Sequence, residues 1–422
     1  MRNLTPILAA LMMVGGMATT AFSEPVTLRV GYAFAYRDAA YRQGVADEFM
    51  RRHPDIQIKL ESNAPGCPEL LEQTLRSAVT GDLPDVLESV CYPHMRTLAN
   101  RGILSPIDNF ISSDTTWQGV GISSAALNST MYNGSVIGVP EAISTLIVYY
   151  NMDLVLKARP DIQELPTTWD SILKLAQDVG QTDKDAMPIS FEYYPDAMNW
   201  SFNALVYSFG GNVFDANGKI AFDSQAGMKA LEILQRVGEA GMIDVTADQA
   251  RQSFASGKSG IYVGSSSLLN IFTTGAKDKF EMRTVQFPQP TPGGKIPSGG
   301  FGIVMITKDP EKQKAAWEFM KFAVGPEAQT IMVTKTGFTP VNEKATSSNE
   351  FLGEFYKTRP NYKVAVDELP RIKAMNTYPV DNEPRITTAI RDHLQSVVTL
   401  KRSPSEVMPE MVGAVSRLLP KT

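Results

Sequence analysis

Apolar and polar positions alternate near the start of the chain, in residues 26–30 and again in residues 56–60. Each run places its apolar side chains on one face, as in a half-buried β-strand. Between the runs, apolar residues recur every fourth position from Tyr41 to Phe49, which predicts an amphipathic helix that Asp38 would cap. A strand, a helix and a strand at this spacing predict a parallel sheet with a right-handed crossover.

The same alternation of helix and strand continues along the chain. The pattern predicts a helix from about Pro68 to Val79 and an extended segment over residues 85–90. Three later helices are predicted to begin at the capping residues Thr168, Asp223 and Asp309. We therefore predict an α/β protein. No linker rich in Pro, Gly or Ser divides a chain that is too long for one core, so its domains are expected to be interleaved.

Residues 1–23 have the pattern of a secretory signal peptide. Arg2 supplies the positive charge, residues 7–14 supply a short apolar run, and Ala21 and Ser23 supply the small residues of a cleavage site. An N-terminal membrane anchor is the alternative, but the apolar run is shorter than the roughly 20 residues that a membrane span needs. We expect cleavage after Ser23 and export of the mature chain to the periplasm.

The composition argues against several classes of function. The formal net charge is −5, so no basic field exists to hold nucleic acid or an anionic membrane. Two cysteines and the scattered His53, His94 and His393 provide no metal-binding motif, and we expect no cofactor. Gly257-Lys258-Ser259 ends like a phosphate loop but lacks its upstream glycine. We predict that the protein is not an enzyme; a secreted hydrolase that uses an unrecognised carboxylate pair is the alternative.

Two groups of aromatic residues are candidates for ligand binding. Tyr32, Phe34 and Tyr36 directly follow the first strand, at the end where ligands bind to open parallel sheets. Tyr194 and Trp200 belong to the second group, in the middle of the chain. Aromatic faces stack on sugar C–H surfaces or surround cations, so both groups suit a carbohydrate or a quaternary amine. The alternative is that these rings belong to the core.

Small polar residues form a second set of candidates. Ser144 precedes an apolar run, and Ser265 and Ser267 follow a predicted strand. Hydroxyl groups and free backbone N–H groups at such turns bind hydroxyls or anions. Gly299 and Gly300 would let the backbone approach a ligand closely. The alternatives are that the serines only cap helices and that the glycines only form a flexible crossover.

Cys67 and Cys91 are the two cysteines of a chain that carries an export signal. Exported proteins with two cysteines usually oxidise them, so we predict a disulfide. The bridge would close a loop of about 25 residues and stabilise the fold by roughly 3–4 kcal/mol in the chain-entropy treatment. Two unpaired buried thiols are the alternative.

Six short motifs are spread over nearly the whole mature chain. In chain order they are Glu48-Phe49 with His53-Pro54-Asp55-Ile56, Thr80-Gly81-Asp82-Leu83-Pro84-Asp85-Val86, Tyr149-Tyr150-Asn151 with Asp153-Leu154, Pro166-Thr167-Thr168-Trp169-Asp170, Ala316-Trp317-Glu318-Phe319, and Thr336-Gly337-Phe338-Thr339-Pro340-Val341. In this order and spacing the chain resembles the extracellular solute-binding proteins of ABC importers. The resemblance is to the branch that contains maltose and glycerol-3-phosphate binders.

The resemblance implies a two-lobed periplasmic-binding-protein (Venus-flytrap) fold, in which each lobe is a sheet flanked by helices. It assigns residues 24–144 and 303–345 to the first lobe, and residues 145–302 and 346–422 to the second. Crossing segments near residues 144–148 and 298–303 would form the hinge between them. Ligand would bind between the lobes, and closure around it would create the surface that a permease recognises.

The glycerol-3-phosphate binders match this chain only in part. Ser144, Ser265 or Ser267, and Gly299 with Gly300 match positions that those proteins use for ligand. Where they carry a Tyr and a Glu in the first lobe, this chain has Cys67 and Cys91, which also supports the disulfide. Their later binding Tyr is Phe338 here, and Arg385 lies near but does not align with the arginine that they place on the phosphate. The resemblance thus implies a shared scaffold with different ligand chemistry.

These observations predict the periplasmic substrate-binding component of an ABC transporter. The solute is expected to be a sugar or polyol, held by stacking on aromatic rings and by serine hydroxyls. A binder of glycerol 3-phosphate or another anionic solute is the alternative. We expect a monomer whose partners are the small solute and the permease subunits in the inner membrane. The disulfide is expected at the rim of the ligand cleft in the first lobe.

Overall fold

The computed structural model describes residues 24–193, 198–373, 378 and 382–420, and the predicted signal peptide and Tyr194 lie outside these residues. Within the described residues, no helix combines the length and the apolar character needed to cross a bilayer. The strands are β1 Val26–Ala33, β2 Ile56–Ala64, β3 Val86–Cys91, β4 Met131–Tyr132, β5 Ser135–Val136, β6 Val139–Ser144, β7 Leu146–Asn151, β8 Met187–Phe191, β9 Ser259–Ser265, β10 Met282–Gln286, β11 Ile296–Pro297, β12 Gly299–Met305 and β13 Ile372–Lys373.

Helices separate most of these strands, as the α/β prediction requires. They are α1 Ala35–Arg52, α2 Cys67–Thr80, α3 Tyr92–Asn100, α4 Asp108–Ser113, α5 Ser124–Asn128, α6 Met152–Ala158, α7 Trp169–Thr182, α8 Trp200–Ser208, α9 Gln225–Glu239, α10 Ala247–Ala255, α11 Leu269–Ala276, α12 Pro310–Ala323, α13 Pro326–Lys335, α14 Glu343–Ser347, α15 Gly353–Thr358, α16 Pro360–Asp367, α17 Glu383–Val398 and α18 Pro404–Ser416. The helix and the strand predicted over residues 68–79 and 85–90 are confirmed as α2 and β3.

The first lobe is built around a five-stranded sheet in the order β2-β1-β3-β12-β6. Strands β1, β2 and β3 are parallel, with Val26 opposite Ile56, which confirms the predicted parallel unit. Helix α1 covers this sheet with Tyr41, Val45 and Phe49, all buried in one hydrophobic cluster. Hydrophobic burial of this helical face therefore fixes α1 on the sheet.

Asp38 does not cap α1, and this prediction is wrong. The helix begins three residues earlier, after Phe34, whose backbone is left-handed with φ of 60°. Asp38 lies in the first turn, where its carboxylate pairs with Arg37 instead of with backbone N–H groups. A carboxylate in the first turn still interacts favourably with the helix dipole, so the acidic residue suits the position without being the cap.

The second lobe is built around a four-stranded sheet in the order β10-β7-β9-β8. Thr168 caps α7 with a capping box, and Asp309 caps α12, as predicted. The predicted cap at Asp223 is wrong by one residue, because the Ser224 hydroxyl accepts the N–H of Gly227 at the start of α9. Helix α9 packs against α17 and α18, so the end of the chain completes the core of this lobe.

Two of the places where the chain crosses between the lobes lie side by side. It leaves β6 at Ser144 and enters β7 at Leu146, and it later returns from β11 through Ser298 into β12. Strand β12 lies entirely in the first sheet, antiparallel to β3 and β6, so the predicted lobe boundary after residue 302 falls inside this strand. The two crossings coincide with the segments predicted to form the hinge.

Gly300 has a backbone conformation that suits glycine at this second crossing. Its φ is +124°, and a Cβ there would overlap the carbonyl oxygen of Ala142 on the neighbouring strand β6. Any side chain would therefore strain the backbone and push two paired strands apart.

We predict that Gly300→Ala lowers the free energy of unfolding by about 3 kcal/mol, because strain and overlap add. The matched control is Gly119→Ala, since nothing lies within 4 Å of its Cβ position. Denaturant unfolding monitored by circular dichroism measures both variants. Equal stability of the two variants would contradict the account of this crossing.

Candidate ligand site between the two lobes

Three of the predicted ligand-binding residues meet where the chain crosses between the lobes. Gly299 pairs with Ser144, and a Cβ on Gly299 would lie 2.5 Å from the Ser144 Oγ and 2.7 Å from the Trp200 ring. The Trp200 indole N–H donates to the carbonyl oxygen of Pro297 at 3.1 Å. Because Gly299 has no side chain, the Ser144 hydroxyl and the Trp200 ring can both lie against its backbone.

The predicted serine turn lies beside the same crossing. Ser265 and Ser267 have their hydroxyl oxygens 2.8 Å apart, and Ser265 also accepts the backbone N–H of Ser267. Backbone and side-chain hydrogen bonds join Ser266 to Thr145, the residue between β6 and β7. The serines therefore cap the turn, as the alternative interpretation holds, and the turn is hydrogen-bonded to Thr145, the residue after Ser144.

Phe34, Phe301 and Phe338, which we call the aromatic cluster, form the first-lobe side of this region. The Phe301 ring lies 6.3 Å from Phe34 in a stacked arrangement and 4.9 Å from Phe338 in a T-shaped one. Tyr36 contacts the edge of Phe34 and is 57% exposed. Tyr32 is buried behind these rings, with its ring 5.4 Å from the Arg42 guanidinium, so it supports the wall from the core.

Arg37 reaches from the first lobe to the second, and the sequence did not single it out. Its guanidinium packs against the rings of Phe34 and Phe338, 4.5 Å and 4.6 Å from their centroids. It pairs with the buried carboxylate of Asp38 and donates to the Ser267 Oγ at 3.1 Å. A charged, nearly buried side chain therefore joins the aromatic cluster to the serine turn.

Arg251 and His94 make further polar contacts between the lobes. Arg251 of α10 forms an ion pair with the buried Glu192 and lies 3.5 Å from the Tyr36 hydroxyl. His94 of α3 has its Nε2 3.7 Å from the Glu383 carboxylate at the start of α17. Burial raises the pKa of Glu383, but His94 and Thr387 outweigh it, so this pKa lies below its ordinary value.

Cys67 and Cys91 form a disulfide, which confirms that prediction. Cys91 lies opposite Phe301 in the sheet, and a Cβ on Gly66 would lie 3.6 Å from the Phe34 ring. The bridge therefore lies behind the aromatic cluster. It joins the start of α2 to the end of β3, the two segments that support these rings.

A buried charge network lies deeper in the first lobe, below Arg37. Arg42 is fully buried and lies 2.6 Å from the Glu88 carboxylate and 2.7 Å from that of Glu141. The Tyr41 hydroxyl donates to Glu141, and Arg42 donates to the Ser89 hydroxyl. Burial raises the pKa of Glu88 to about 7, the charge of Arg42 opposes this, and the neighbouring Glu141 adds to it.

The remaining predicted residues differ in where they lie. Arg385 lies on the exposed face of α17, between Glu383 and Thr387. Tyr194 lies outside the described residues, so its role stays a prediction. Tyr193 next to it is buried in the second-lobe core, where its hydroxyl bonds Asp244. Among the described residues, no group of three His, Cys, Asp or Glu side chains is arranged to hold a metal ion.

Sequence reasoning missed the charged residues Arg37 and Arg251. Their contacts in the other lobe, Ser267 and Tyr36, lie far away in the chain. Arg37 and Ser267 are 230 positions apart, and no local pattern links them. One signal was available: Arg37 directly follows the aromatic candidates Phe34 and Tyr36 at the end of the first strand. A cation beside aromatic residues at a sheet edge suits a binding position.

Loss of the disulfide should destabilise the protein. We predict that the double variant Cys67→Ser with Cys91→Ser loses roughly 3–4 kcal/mol of unfolding free energy, since the unfolded chain regains the entropy of a loop of about 25 residues. Chemical denaturation measures this loss, and intact mass before and after reduction with alkylation verifies the bond in the parent protein. Free thiols in unreduced protein would contradict the structure.

The raised pKa of Glu88 makes stability depend on pH. The folded protein retains a proton on Glu88 that the unfolded chain releases, so the free energy of unfolding falls as the pH rises from about 4.5 through 7. We predict that Glu88→Gln weakens this fall and is more stable than the parent at pH 8, because Arg42 keeps Glu141 as its partner.

Urea unfolding at pH 5, 6, 7 and 8 tests this, with the exposed Glu343→Gln as the control. Some pH dependence should remain in the Glu88 variant, because burial also raises the pKa of Glu368 to about 7. Parallel pH profiles for Glu88→Gln and the parent would show that the network carries no such proton.

Known proteins share the fold and the sequence pattern of this chain. A family model for bacterial extracellular solute-binding proteins matches residues 44–363. The sn-glycerol-3-phosphate-binding periplasmic protein of Pectobacterium atrosepticum is 24% identical over 402 residues, which cover 89% of this chain and 87% of the relative. The corresponding protein of Escherichia coli K12 is 22% identical over 392 residues, which cover 89% and 88%.

Solved structures of two-lobed binding proteins superpose on nearly the whole chain. UgpB from Mycobacterium tuberculosis, in complex with glycerophosphocholine, gives a TM-score of 0.81 at 20% identity and covers 94% of this chain and 98% of that one. Maltose-bound MalE3 of T. maritima gives 0.79 at 16% identity, with coverage of 93% and 100%. The predicted two-lobed fold is thus confirmed. Since the family model spans most of its length, the chain belongs to the bacterial extracellular solute-binding protein family.

Proposed function

We propose that this protein captures a small, neutral, hydroxyl-rich solute, a sugar or polyol, between its lobes and delivers it to an ABC permease. One observation carries the choice of a neutral solute: the arginines that make polar contacts between the lobes already have carboxylate partners. Arg37 pairs with Asp38, and Arg251 pairs with Glu192. A paired guanidinium keeps N–H groups for hydroxyl oxygens without offering an uncompensated positive charge to an anion.

The other groups at the crossing also suit hydroxyls and C–H surfaces. Ser144 and the Ser265–Ser267 turn present hydroxyl groups, each of which donates and accepts hydrogen bonds. Trp200 is 8% exposed and has its N–H bound to Pro297, so a sugar would stack on the exposed part of its ring. A site that hydrogen-bonds the hydroxyls of its ligand rejects analogues that lack one, because its own polar groups would then stay unpaired. This arrangement therefore supports specificity for a polyhydroxy ligand.

An anionic solute is the second candidate. Two observations favour it: the curated relatives are named for sn-glycerol 3-phosphate, and Arg385 lies exposed on α17 close to the cross-lobe contact of Glu383. Competition by inorganic phosphate and a steep dependence on salt would distinguish a phosphate ester from a neutral sugar.

We infer binding rather than catalysis, as in the relatives. The inferred pathway is export to the periplasm with removal of residues 1–23, capture of one solute per monomer, and transfer to the permease. An enzyme would release a changed product, whereas a binder should release one unchanged solute molecule per chain. Mass spectrometry of small molecules released by denaturation tests this distinction.

A thermal-shift panel tests the ligand class. It contains maltose, sorbitol, sn-glycerol 3-phosphate and glycerophosphocholine, with inorganic phosphate as competitor. A ligand at a hundred times its dissociation constant should add about 2.7 kcal/mol to the unfolding free energy. We expect this for a neutral member of the panel, with no competition by phosphate. A shift only with the phosphate esters, abolished by phosphate, would overturn the neutral assignment.

The Ser265 hydroxyl provides a site-specific check. We predict that Ser265→Ala weakens binding of the panel solute at least about tenfold, because a hydroxyl partner of the ligand is lost inside a nearly closed site. Ser256→Ala is the matched control, since that exposed hydroxyl donates to the Ser253 carbonyl at the end of α10. Isothermal titration calorimetry measures both. Equal affinities for the two variants would remove the serine turn from the ligand site.

A further inference from the structure

The guanidinium of Arg37 is held in place by contacts from both lobes. Its Nε and Nη2 lie 2.5 Å and 2.8 Å from the two carboxylate oxygens of Asp38. Asp38 is itself fully buried, so this two-point pairing is sheltered from water. The rings of Phe34 and Phe338 pack against the guanidinium, with centroids 4.5 Å and 4.6 Å from its central carbon. Bidentate pairing and stacking together leave the group little freedom to turn.

The backbone before Arg37 is shaped for this purpose. Phe34 adopts a left-handed conformation, and its carbonyl oxygen accepts the backbone N–H groups of both Arg37 and Asp38 at 2.9 Å. A left-handed conformation is costly for a bulky aromatic residue, so the surrounding contacts must maintain it. The turn places the Phe34 ring against the guanidinium of Arg37, three positions later. One short segment therefore supplies both the cation and one of the rings that pack against it.

A guanidinium has five N–H groups, and the contacts described use three of them. Two donate to Asp38, and one Nη1 hydrogen donates to Ser267. The two others have no acceptor among the described residues, although the Arg37 side chain is only 8% exposed. Nearly buried charged donors without acceptors are costly, and a bound molecule that supplies oxygen atoms removes the cost.

We propose that Arg37 is a ligand-binding residue whose two remaining N–H groups donate to acceptor oxygens of the bound solute. The proposal rests on the function proposed above. It adds one residue that hydrogen-bonds the solute, beside the rings of Phe34 and Phe338. Because the N–H groups of a guanidinium lie in its plane, an acceptor approaches along the edge of that plane. The edge donors match a pair of neighbouring oxygens, such as vicinal hydroxyls.

The test compares Arg37→Lys with the parent protein by calorimetric titration of maltose, sorbitol, sn-glycerol 3-phosphate and glycerophosphocholine. Lysine keeps the charge next to Asp38 but loses the planar, two-point geometry. We expect affinity for the solute that the parent binds to fall at least about tenfold. The matched control is Arg29→Lys, because Arg29 pairs with Glu61 and Asp82 on the surface of the same lobe, outside the cleft.

A second variant protects the test against misfolding. Arg37→Gln combined with Asp38→Asn removes both charges together, so no buried carboxylate is left unpaired. It should show the same loss of affinity while its melting temperature stays near that of the parent. Unchanged affinity in both folded variants overturns the proposal. If the ligand-free radius of gyration then rises in these variants, Arg37 only joins the lobes through Ser267.

Failure of the proposed function is distinguishable from failure of this inference. If the parent binds no member of the panel, the proposed solute class is wrong, but Arg37 is still tested through molecules that each protein retains. Parent and Arg37→Lys are purified in parallel, denatured, and analysed for released small molecules by mass spectrometry. Release from the parent alone supports the role of Arg37. Equal release, or none from either protein, overturns it.

Discussion

The position of β12 is the constraint on which the rest of the structure depends. This strand lies antiparallel between β3 and β6 in the first sheet. It follows the strands of the second lobe in the chain, so the first sheet contains a strand that the chain reaches only after the second-lobe sheet. Gly299 and Gly300 at its start allow the close approach to Ser144 and Ala142. Phe301 follows and forms the centre of the aromatic cluster. One strand thus closes the sheet, joins the lobes and forms one wall of the site.

Arginines beside the crossing and in the core of the first lobe are paired with buried carboxylates. Arg37, Arg42 and Arg251 each have a buried carboxylate within ion-pairing distance. Burying ions is expensive, and these pairs are retained where hydrogen bonds to neighbouring groups also satisfy them. The paired guanidinium groups of Arg37 and Arg251 therefore offer N–H donors of fixed direction with little net charge. Such donors suit a neutral polyhydroxy solute.

Local pattern predicted the parallel unit β1-α1-β2, the capped α7 and the disulfide, because periodicity, capping and export context act over short stretches. The absence of a linker predicted interleaved domains, and the resemblance supplied the two-lobed fold and the residues of each lobe, which no periodicity encodes. The misplaced cap at Asp38 has the same cause as the missed Arg37: a carboxylate near a helix start suits either a cap or an ion pair, and only tertiary contacts decide. Arg37 bonds Ser267 across 230 positions, beyond any local signal.

We infer that the solute binds at the crossing between the lobes and that both lobes contact it. Domain closure follows from this, since a ligand that touches both lobes favours the state in which they are together. Small-angle X-ray scattering of the protein, with and without the panel solute that gives the largest thermal shift, measures closure directly. Closure of the lobes around the solute should give a smaller radius of gyration at saturation. An unchanged radius at saturation would contradict it.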